Sequence, residues 1–176
     1  MRPTPDIWLV TGMPGAGKTT ISAALAAHFD FGVHIPGDAV HDMIVGGHVE
    51  PDDAPTDEAE RQMALAQHKF CLLTQSYGNA GFVPVIDWVV RDRPDLKVFL
   101  GDFQGRRVHL IVLGPGPEVL ASRKPDIFER FSYLQPTMER ELGDVGLHID
   151  TGAIGVDAAL ERILSRRHDA LIEALM

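Results

Sequence analysis

The stretch from Ile7 to Thr20 constrains the fold of this chain more than any other part of its sequence. Four apolar residues, Ile7 to Val10, predict a short buried strand, and residues 12–19 then follow the spacing G-x-x-x-x-G-K-T. A helix-forming run, Ile21 to Ala27, comes directly after them. A strand, a glycine-rich loop and a helix in this order are typical of a phosphate-binding loop. The sequence therefore predicts a binding site for a nucleoside triphosphate.

Each residue type in this loop has a physical role. Glycine lets the backbone curl so that successive N–H groups point inward, and the start of the helix adds the positive end of its dipole. We expect Lys18 to reach the β- and γ-phosphates, the Thr19 hydroxyl to bind Mg²⁺, and Thr20 to cap the helix or contact the α-phosphate. The residues predicted to bind nucleotide here are Gly12, Met13, Pro14, Gly15, Ala16, Gly17, Lys18, Thr19 and Thr20.

Length and composition limit the kind of protein that this chain can be. Its 176 residues predict a single domain, and its net charge of −9 argues against binding to nucleic acid, whose backbone is also negative. The single cysteine, Cys71, cannot form an internal disulfide, and its apolar neighbours indicate a buried thiol. No apolar leader or membrane span is evident in the sequence. We therefore expect a cytoplasmic protein.

Strands alternate with helices along the rest of the chain. Further strands are predicted at 31–36, 82–86, 108–113 and 145–149, and helices at 39–44, 57–79, 94–100, 118–123, 127–142 and 156–175. The long helix should begin at an N-cap on Thr56 or Asp57, and a break is expected at Pro136. The residues expected on buried helix faces are Met63, Ala66, Phe70, Leu73, Tyr77, Ala159, Ile163, Leu171 and Leu175. This alternation predicts a three-layer α/β sandwich with a parallel sheet.

Two of the predicted strands end in aspartate, at Asp38 and Asp87. Parallel sheets bind ligands beyond the carboxyl ends of their strands, so both side chains are expected near the glycine-rich loop. One carboxylate would orient Mg²⁺ or its water, and the other would accept a proton from an attacking hydroxyl. The residues alone leave open which aspartate has which role.

Several cations and histidines are further candidates. Arg123 and Arg130 flank an interruption at residues 124–126, and a flap there could close over a triphosphate. Arg91 and Arg93 could contact an acceptor or could be solvated surface residues. Another group, His41, Asp42 and His48, matches no metal-ligand spacing and is expected to be mostly at the surface.

Four segments resemble the small P-loop kinases of the nucleoside-monophosphate-kinase group, and most of all their chloramphenicol-phosphotransferase-like and zeta-toxin-like branch. They are the loop at residues 12–20, Pro36-Gly37-Asp38, Val85-Ile86-Asp87, and His148-Ile149-Asp150-Thr151. The resemblance implies a P-loop fold with five parallel strands in the order 2-3-1-4-5 and a helical lid at about 123–136. It also implies that Asp38 is the catalytic base, that Arg123 and Arg130 are lid arginines, and that Thr151 lies near the adenine.

These observations favour an ATP- and Mg²⁺-dependent kinase acting on a hydroxyl of a small neutral or cationic molecule. The acceptor could be a sugar, a nucleoside or an antibiotic, the last making the protein a resistance enzyme. In this interpretation the catalytic residues are Lys18, Asp38, Arg123 and Arg130, and the metal ligands are Thr19 and Asp87. Arg123 and Thr151 also bind the nucleotide. A nucleoside monophosphate kinase is the closest alternative, but it needs several arginines in the acceptor lobe at about 38–80, where Arg61 stands alone. A regulatory NTPase that binds a partner is the other alternative. No membrane partner is expected, and the sequence does not indicate an oligomeric state.

Overall fold

A computed structural model describes residues 4–51, 55–103 and 105–172. Its centre is a parallel sheet of five strands: β1 (Ile7–Gly12), β2 (Gly32–Pro36), β3 (Val83–Asp87), β4 (Val108–Leu113) and β5 (Leu147–Ile149). Their order is β2-β3-β1-β4-β5, so the predicted order is confirmed. Every residue of β1 and β4 is buried, because helices cover both faces of the sheet.

Nine helices are found within the described ranges. They are α1 (Lys18–His28), α2 (Gly37–His41), α3 (Asp57–Asn79), α4 (Arg93–Asp102), α5 (Pro117–Arg123), α6 (Pro125–Phe131), α7 (Leu134–Leu142), α8 (Val156–Ser165) and α9 (Arg167–Ala170). The N-cap of α3 is Thr56, whose hydroxyl accepts a hydrogen bond from the Ala59 N–H at 3.2 Å. Cys71, on the same helix, is buried as predicted. None of these helices combines the length and the apolar character needed to span a bilayer.

The buried face of α3 differs from the predicted one. Leu73 and Tyr77 were expected in the core, but they are 38% and 40% exposed. Thr74 and Gly78 are buried in their place. Thr74 fits there because its hydroxyl donates to the carbonyl of Phe70 at 2.8 Å, which satisfies the only polar group of its side chain. The apolar residues of α3 therefore do not all mark the face that packs on the sheet.

The C-terminal helix is also shorter than predicted. α8 ends at Ser165, and Leu171–Ile172 forms a sixth strand, β6, antiparallel to β4. The strand β5 pairs only with residues 111–113 of β4, so the first residues of β4 would otherwise present an unpaired edge. Pairing Leu171 with His109 covers that edge. The position predicted for Leu175 lies outside the described residues.

The break expected at Pro136 is wrong. The interruption lies before the proline, at Ser132 and Tyr133 between α6 and α7, and both of these residues keep right-handed helical dihedral angles. Pro136 lies in the first turn of α7, where a backbone N–H has no intrahelical partner to lose.

A buried histidine connects the sheet to both ends of the described chain. His109 stacks on Trp8 with ring centroids 4.2 Å apart. Its Nδ1 lies 3.0 Å from the carbonyl of Arg167, and its Nε2 lies 2.9 Å from a carboxylate oxygen of Asp6.

His109→Phe keeps an aromatic ring but loses both polar contacts, so we expect the free energy of unfolding to fall by about 1–3 kcal/mol. Urea denaturation measures this, with His68→Phe on an exposed position as control. Equal stability of the two variants would contradict a stabilising role for the polar contacts of His109.

Candidate active site

The loop between β1 and α1 has the curled backbone that its glycines predict. Gly15 and Gly17 have φ angles of 87° and 95°, a left-handed conformation that favours glycine. The loop closes on itself through a hydrogen bond of 3.0 Å from the Ala16 N–H to the Met13 carbonyl. Helix α1 begins at Lys18, so the N–H groups of its first turn border the loop without intrahelical partners. The result is a concave, electropositive backbone surface that suits an anion.

Lys18 lies over this loop. Its Nζ donates to the carbonyl of Met13 at 3.3 Å, and the side chain is partly buried. Burial lowers the pKa of Lys18, while the nearby carboxylates of Asp38 and Asp87 act to raise it and the charge of Lys124 acts to lower it. One lysine of the loop, two strand-end aspartates and a second lysine therefore share one crevice.

Asp87 is the buried member of the pair of aspartates, with 4% of its surface exposed. Its Oδ1 accepts a hydrogen bond from the Gly37 N–H at 3.1 Å. Its Oδ2 lies 3.3 Å from Nε2 of His34, without hydrogen-bond alignment. Burial acts to raise the pKa of Asp87, but its contacts with His34, Thr19 and Gly37 outweigh burial and lower it. The structure thus brings Asp87 and Thr19, the two predicted metal ligands, together.

Asp38 lies in the first turn of α2, and its side chain is exposed. Protein atoms nonetheless crowd the carboxylate, and this desolvation raises the pKa of Asp38, with Lys18 opposing and Asp87 adding to the rise. The two strand-end carboxylates therefore have their pKa values shifted in opposite directions. Such a separation is typical of sites where two carboxylates have different chemical roles.

The position of Asp38 depends on the glycine before it. A Cβ atom on Gly37 would lie 2.3 Å from the ring of Trp88 and 2.7 Å from the carbonyl oxygen of Asp87. Only glycine permits this close approach of α2 to the end of β3. Local sequence does not mark Gly37 as a necessary residue, because its neighbour Trp88 is distant along the chain.

Arg123 and Thr151 lie together beside the loop. The Arg123 guanidinium donates to the carbonyl of Thr151 at 2.8 Å, and the Thr151 hydroxyl donates to the carbonyl of Ala16 at 3.2 Å. Thr151 therefore lies next to the glycine-rich loop, and its hydroxyl holds the loop backbone. A nucleotide-binding role for either residue stays a prediction.

The remaining arginines are placed differently. Arg130 donates to the carbonyl of Pro51 at 2.6 Å, so in this conformation it contacts the segment before α3 instead of the glycine-rich loop. Arg91 forms two hydrogen bonds with Asp95, at 2.6 and 2.8 Å, and Arg93 donates to Asp144 at 2.5 Å. The structure supports the surface alternative for Arg91 and Arg93.

Two further residues of the crevice were not predicted. His34 lies in β2 and faces Asp87, and Lys124 packs over Gly15 and contributes positive charge near Lys18. For Lys124 the sequence gives one signal, its position at the break between α5 and α6. For His34 we find none, because its contact depends on the pairing of β2 with β3.

Comparison with known proteins places this geometry in a family. A family model described as an AAA domain matches residues 9–124. The chain belongs to this AAA family. The match includes the glycine-rich loop, both strand-end aspartates and Arg123. No curated protein sequence matches the chain.

Solved structures share the whole fold of this AAA domain. A sugar kinase from Janibacter sp. HTCC2649, solved without ligand, has a TM-score of 0.66 at 21% identity and covers 96% of each chain. A gluconokinase from Sinorhizobium meliloti 1021 has a TM-score of 0.59 at 20% identity, over 95% of this chain and 98% of its own. The chain therefore has the fold of P-loop kinases. The narrower chloramphenicol-phosphotransferase-like branch stays a prediction.

Proposed function

We propose that this protein is an ATP- and Mg²⁺-dependent kinase that phosphorylates a hydroxyl of a small neutral or cationic molecule. The observation that carries the proposal is the crevice at the carboxyl ends of β2 and β3. There Lys18 lies beside two carboxylates, Asp38 and Asp87, whose pKa values are shifted in opposite directions. Phosphoryl transfer requires positioning, counter-charge and a base or positioning group for the acceptor, and these residue types supply them.

The residues of the crevice fit a magnesium–nucleotide complex. Oδ2 of Asp87 is buried and lies 3.3 Å from Nε2 of His34, without an aligned hydrogen bond in the part of the chain that the structure describes, so a lone pair stays open to a cation. It lies in the same cluster as Thr19, and carboxylate and hydroxyl oxygens are the donors that Mg²⁺ prefers. The loop amides and Lys18 would hold the phosphates. When bound, ATP would supply the γ-phosphoryl group, and Mg²⁺ would neutralise part of the charge on that group.

The remaining roles, which are proton acceptance, charge balance and positioning, fall to residues of the chain. Asp38 is open to solvent, where an acceptor can enter, and its raised pKa makes it a better proton acceptor than an ordinary aspartate. It would take the proton of the acceptor hydroxyl in a transfer for which bound Mg²⁺–ATP would supply the phosphoryl group, with ADP as the leaving group. Lys18 balances the negative charge that develops on the transferred group, and His34 holds Asp87 in place.

Charge in the acceptor lobe supports a neutral or cationic acceptor. Arg61 makes two hydrogen bonds of 2.8 Å to Glu58, and with Gln62 it lowers the pKa of Glu58 to about 2. The guanidinium is thus already paired with a carboxylate, which disfavours a nucleoside monophosphate as acceptor. The names of the two structural neighbours, a sugar kinase and a gluconokinase, support a polyhydroxylated acceptor.

An apolar groove of about 610 Å³ lies between α2 and α3, but its position does not suit the acceptor. It is lined by Val40 and Ile44, among others. Val40 falls on the opposite side of α2 from Asp38, since a helix turns by 100° per residue, and Ile44 follows the end of the helix. An acceptor in this groove would not reach the proposed base.

A screen of hydroxyl compounds tests the proposed function. Purified protein with ATP and Mg²⁺ should release ADP rapidly only when a suitable sugar, polyol, nucleoside or amino alcohol is present. Lys18→Ala is the matched blank for contaminating ATPases. Rapid ADP release that no compound alters would instead support a regulatory NTPase. Stimulation of ADP release by nucleoside monophosphates alone would support a nucleoside monophosphate kinase.

The segment at about 123–136, which begins at the end of α5 and includes α6, is expected to act as a lid. These helices are separated only by Lys124, and α6 has no buried residue. Its amides should therefore exchange quickly in the free protein and more slowly when an ATP analogue binds and draws Arg123 and Lys124 towards the phosphates. Hydrogen–deuterium exchange measures this, with α8 as the internal reference. Unchanged exchange in α6 at saturating nucleotide would mean that it is not a lid.

A further inference from the structure

Three side chains with metal-binding atoms meet beside α2. His41, Asp42 and His48 each offer a ring nitrogen or a carboxylate oxygen, and these atoms lie within 4.8 Å of one another. Their spacing along the sequence did not predict a site, because the loop after α2 must fold back to bring His48 to His41. The two rings lie with centroids 4.7 Å apart.

His41 is the unusual member of this group. It is 5% exposed, and its Nε2 is buried without a hydrogen bond to any residue in the described ranges. A buried polar atom without a partner is unfavourable, so native structures rarely retain one without a ligand or a functional reason. The group was expected to be mostly at the surface, and within it His41 is buried while Asp42 is exposed.

His48 is held in place from two sides. Its Nε2 lies 3.2 Å from a carboxylate oxygen of Glu50, and a proton on Nε2 donated to this carboxylate would leave the Nδ1 lone pair for a metal. The loop around it is fixed by the buried side chain of Gln62, which donates to the carbonyl of Gly47 at 2.7 Å and accepts from the Val49 N–H at 2.9 Å. A histidine oriented by a carboxylate on an anchored loop is the arrangement found for metal ligands.

We propose that His41, Asp42 and His48 bind a late first-row divalent cation such as Zn²⁺. Two imidazoles and one carboxylate form a ligand set typical of zinc, with a fourth position for water, whereas Mg²⁺ prefers oxygen donors. Tetrahedral zinc places its ligand atoms about 3.4 Å apart. Asp42 is exposed and His48 is only partly buried, so both side chains have room to close the remaining gap.

This cation site is separate from the phosphate crevice, although it adjoins the acceptor side. Asp38, His41 and Asp42 are three and four residues apart and so share one face of α2. A bound cation would tie α2 to the loop that carries His48 and would lie on the same face as the proposed base. The site does not depend on the proposed kinase activity, because none of its three ligands contacts the glycine-rich loop in the contacts described.

Metal titration without nucleotide tests this proposal. Tag-free, metal-stripped protein is titrated with Zn²⁺ by calorimetry and with Co²⁺ by visible absorption, which reports ligand type and geometry. We expect one equivalent of either ion to bind, with a higher melting temperature in saturating Zn²⁺. His48→Gln and Asp42→Asn should each lower the affinity by at least about 100-fold, and Glu50→Gln, which removes only the orienting carboxylate, by about 10–100-fold.

Two controls make the result decisive. His68→Gln, an exposed histidine on α3, should leave Zn²⁺ binding unchanged, and so should Thr19→Val, which alters only the predicted Mg²⁺ position. His48→Gln carries the test because the buried His41 could affect folding when replaced. No saturable binding, or binding that survives both His48→Gln and Asp42→Asn, would overturn the proposal. That outcome would leave the kinase proposal untouched, since no nucleotide or turnover enters the measurement.

Discussion

Lys18→Ala is expected to reduce the turnover number by about 10²–10³-fold while the fold is retained. The Lys18 ammonium lies over the concave loop, at 3.3 Å from the Met13 carbonyl, where it can balance charge that develops on a transferred phosphoryl group. Losing one preorganised charge-stabilising group of this kind typically costs about 10²–10³-fold in rate. Burial lowers the pKa of Lys18, which means that the protein gains little stability from holding this charge. Steady-state kinetics and circular dichroism on the same sample measure both properties.

A matched lysine controls for the loss of charge alone. Lys97 is exposed on α4, and Lys97→Ala should leave turnover and folding unchanged. Turnover by a folded Lys18→Ala variant at the rate of Lys97→Ala would remove the glycine-rich loop from the mechanism.

Asp38→Asn should lower the turnover number by about 10²–10⁴-fold with little change in ATP affinity. The asparagine keeps the size of the side chain but cannot take a proton, and general-base assistance contributes a factor of this order. The wild-type kcat/KM should rise with pH as Asp38 loses its proton. Because desolvation raises the pKa of Asp38, this rise should occur at a higher pH than for an ordinary aspartate. In Asp38→Asn the residual activity should lack that acid limb.

A substitution of Asp87 distinguishes the role of metal ligand from the role of catalytic base. Asp87→Asn removes a predicted metal ligand, so it should raise the Mg²⁺ concentration needed for half-maximal activity, and excess Mg²⁺ should restore part of the rate. If Asp38→Asn keeps full turnover and Asp87→Asn is inactive at every Mg²⁺ concentration, the two roles have been assigned the wrong way round.

Local sequence signals predicted most of the fold. The glycine-rich loop and the continuous apolar strands β1 and β4 are recorded in neighbouring residues, and the resemblance supplied the strand order. The errors have two physical causes, a distant partner in the sheet in one case and a local hydrogen bond in the other. Leu171 joins the sheet because β5 leaves part of β4 uncovered, and Thr74 is buried because its hydroxyl finds a carbonyl on its own helix. Neither fact follows from hydrophobic periodicity.

The candidate site likewise combines residues that local sequence predicts with contacts that it does not predict. Lys18, Asp38 and Asp87 could be selected because each stands at the end of a strand or in a motif. The contact of His34 with Asp87, the fit of Gly37 under Trp88 and the meeting of His41 with His48 each join distant segments or the two ends of a folded loop. Sequence patterns alone do not record such contacts.

The most direct test of the central claim is the stoichiometry of phosphoryl transfer. A reaction with ATP, Mg²⁺ and the best acceptor from the hydroxyl screen is followed by ³¹P NMR, which separates inorganic phosphate, ADP and a new phosphate ester. The kinase account predicts one phosphate ester on the acceptor for each ADP formed, with both signals greatly reduced in Asp38→Asn. Formation of ADP and inorganic phosphate in equal amounts, without an ester for any acceptor, would contradict it.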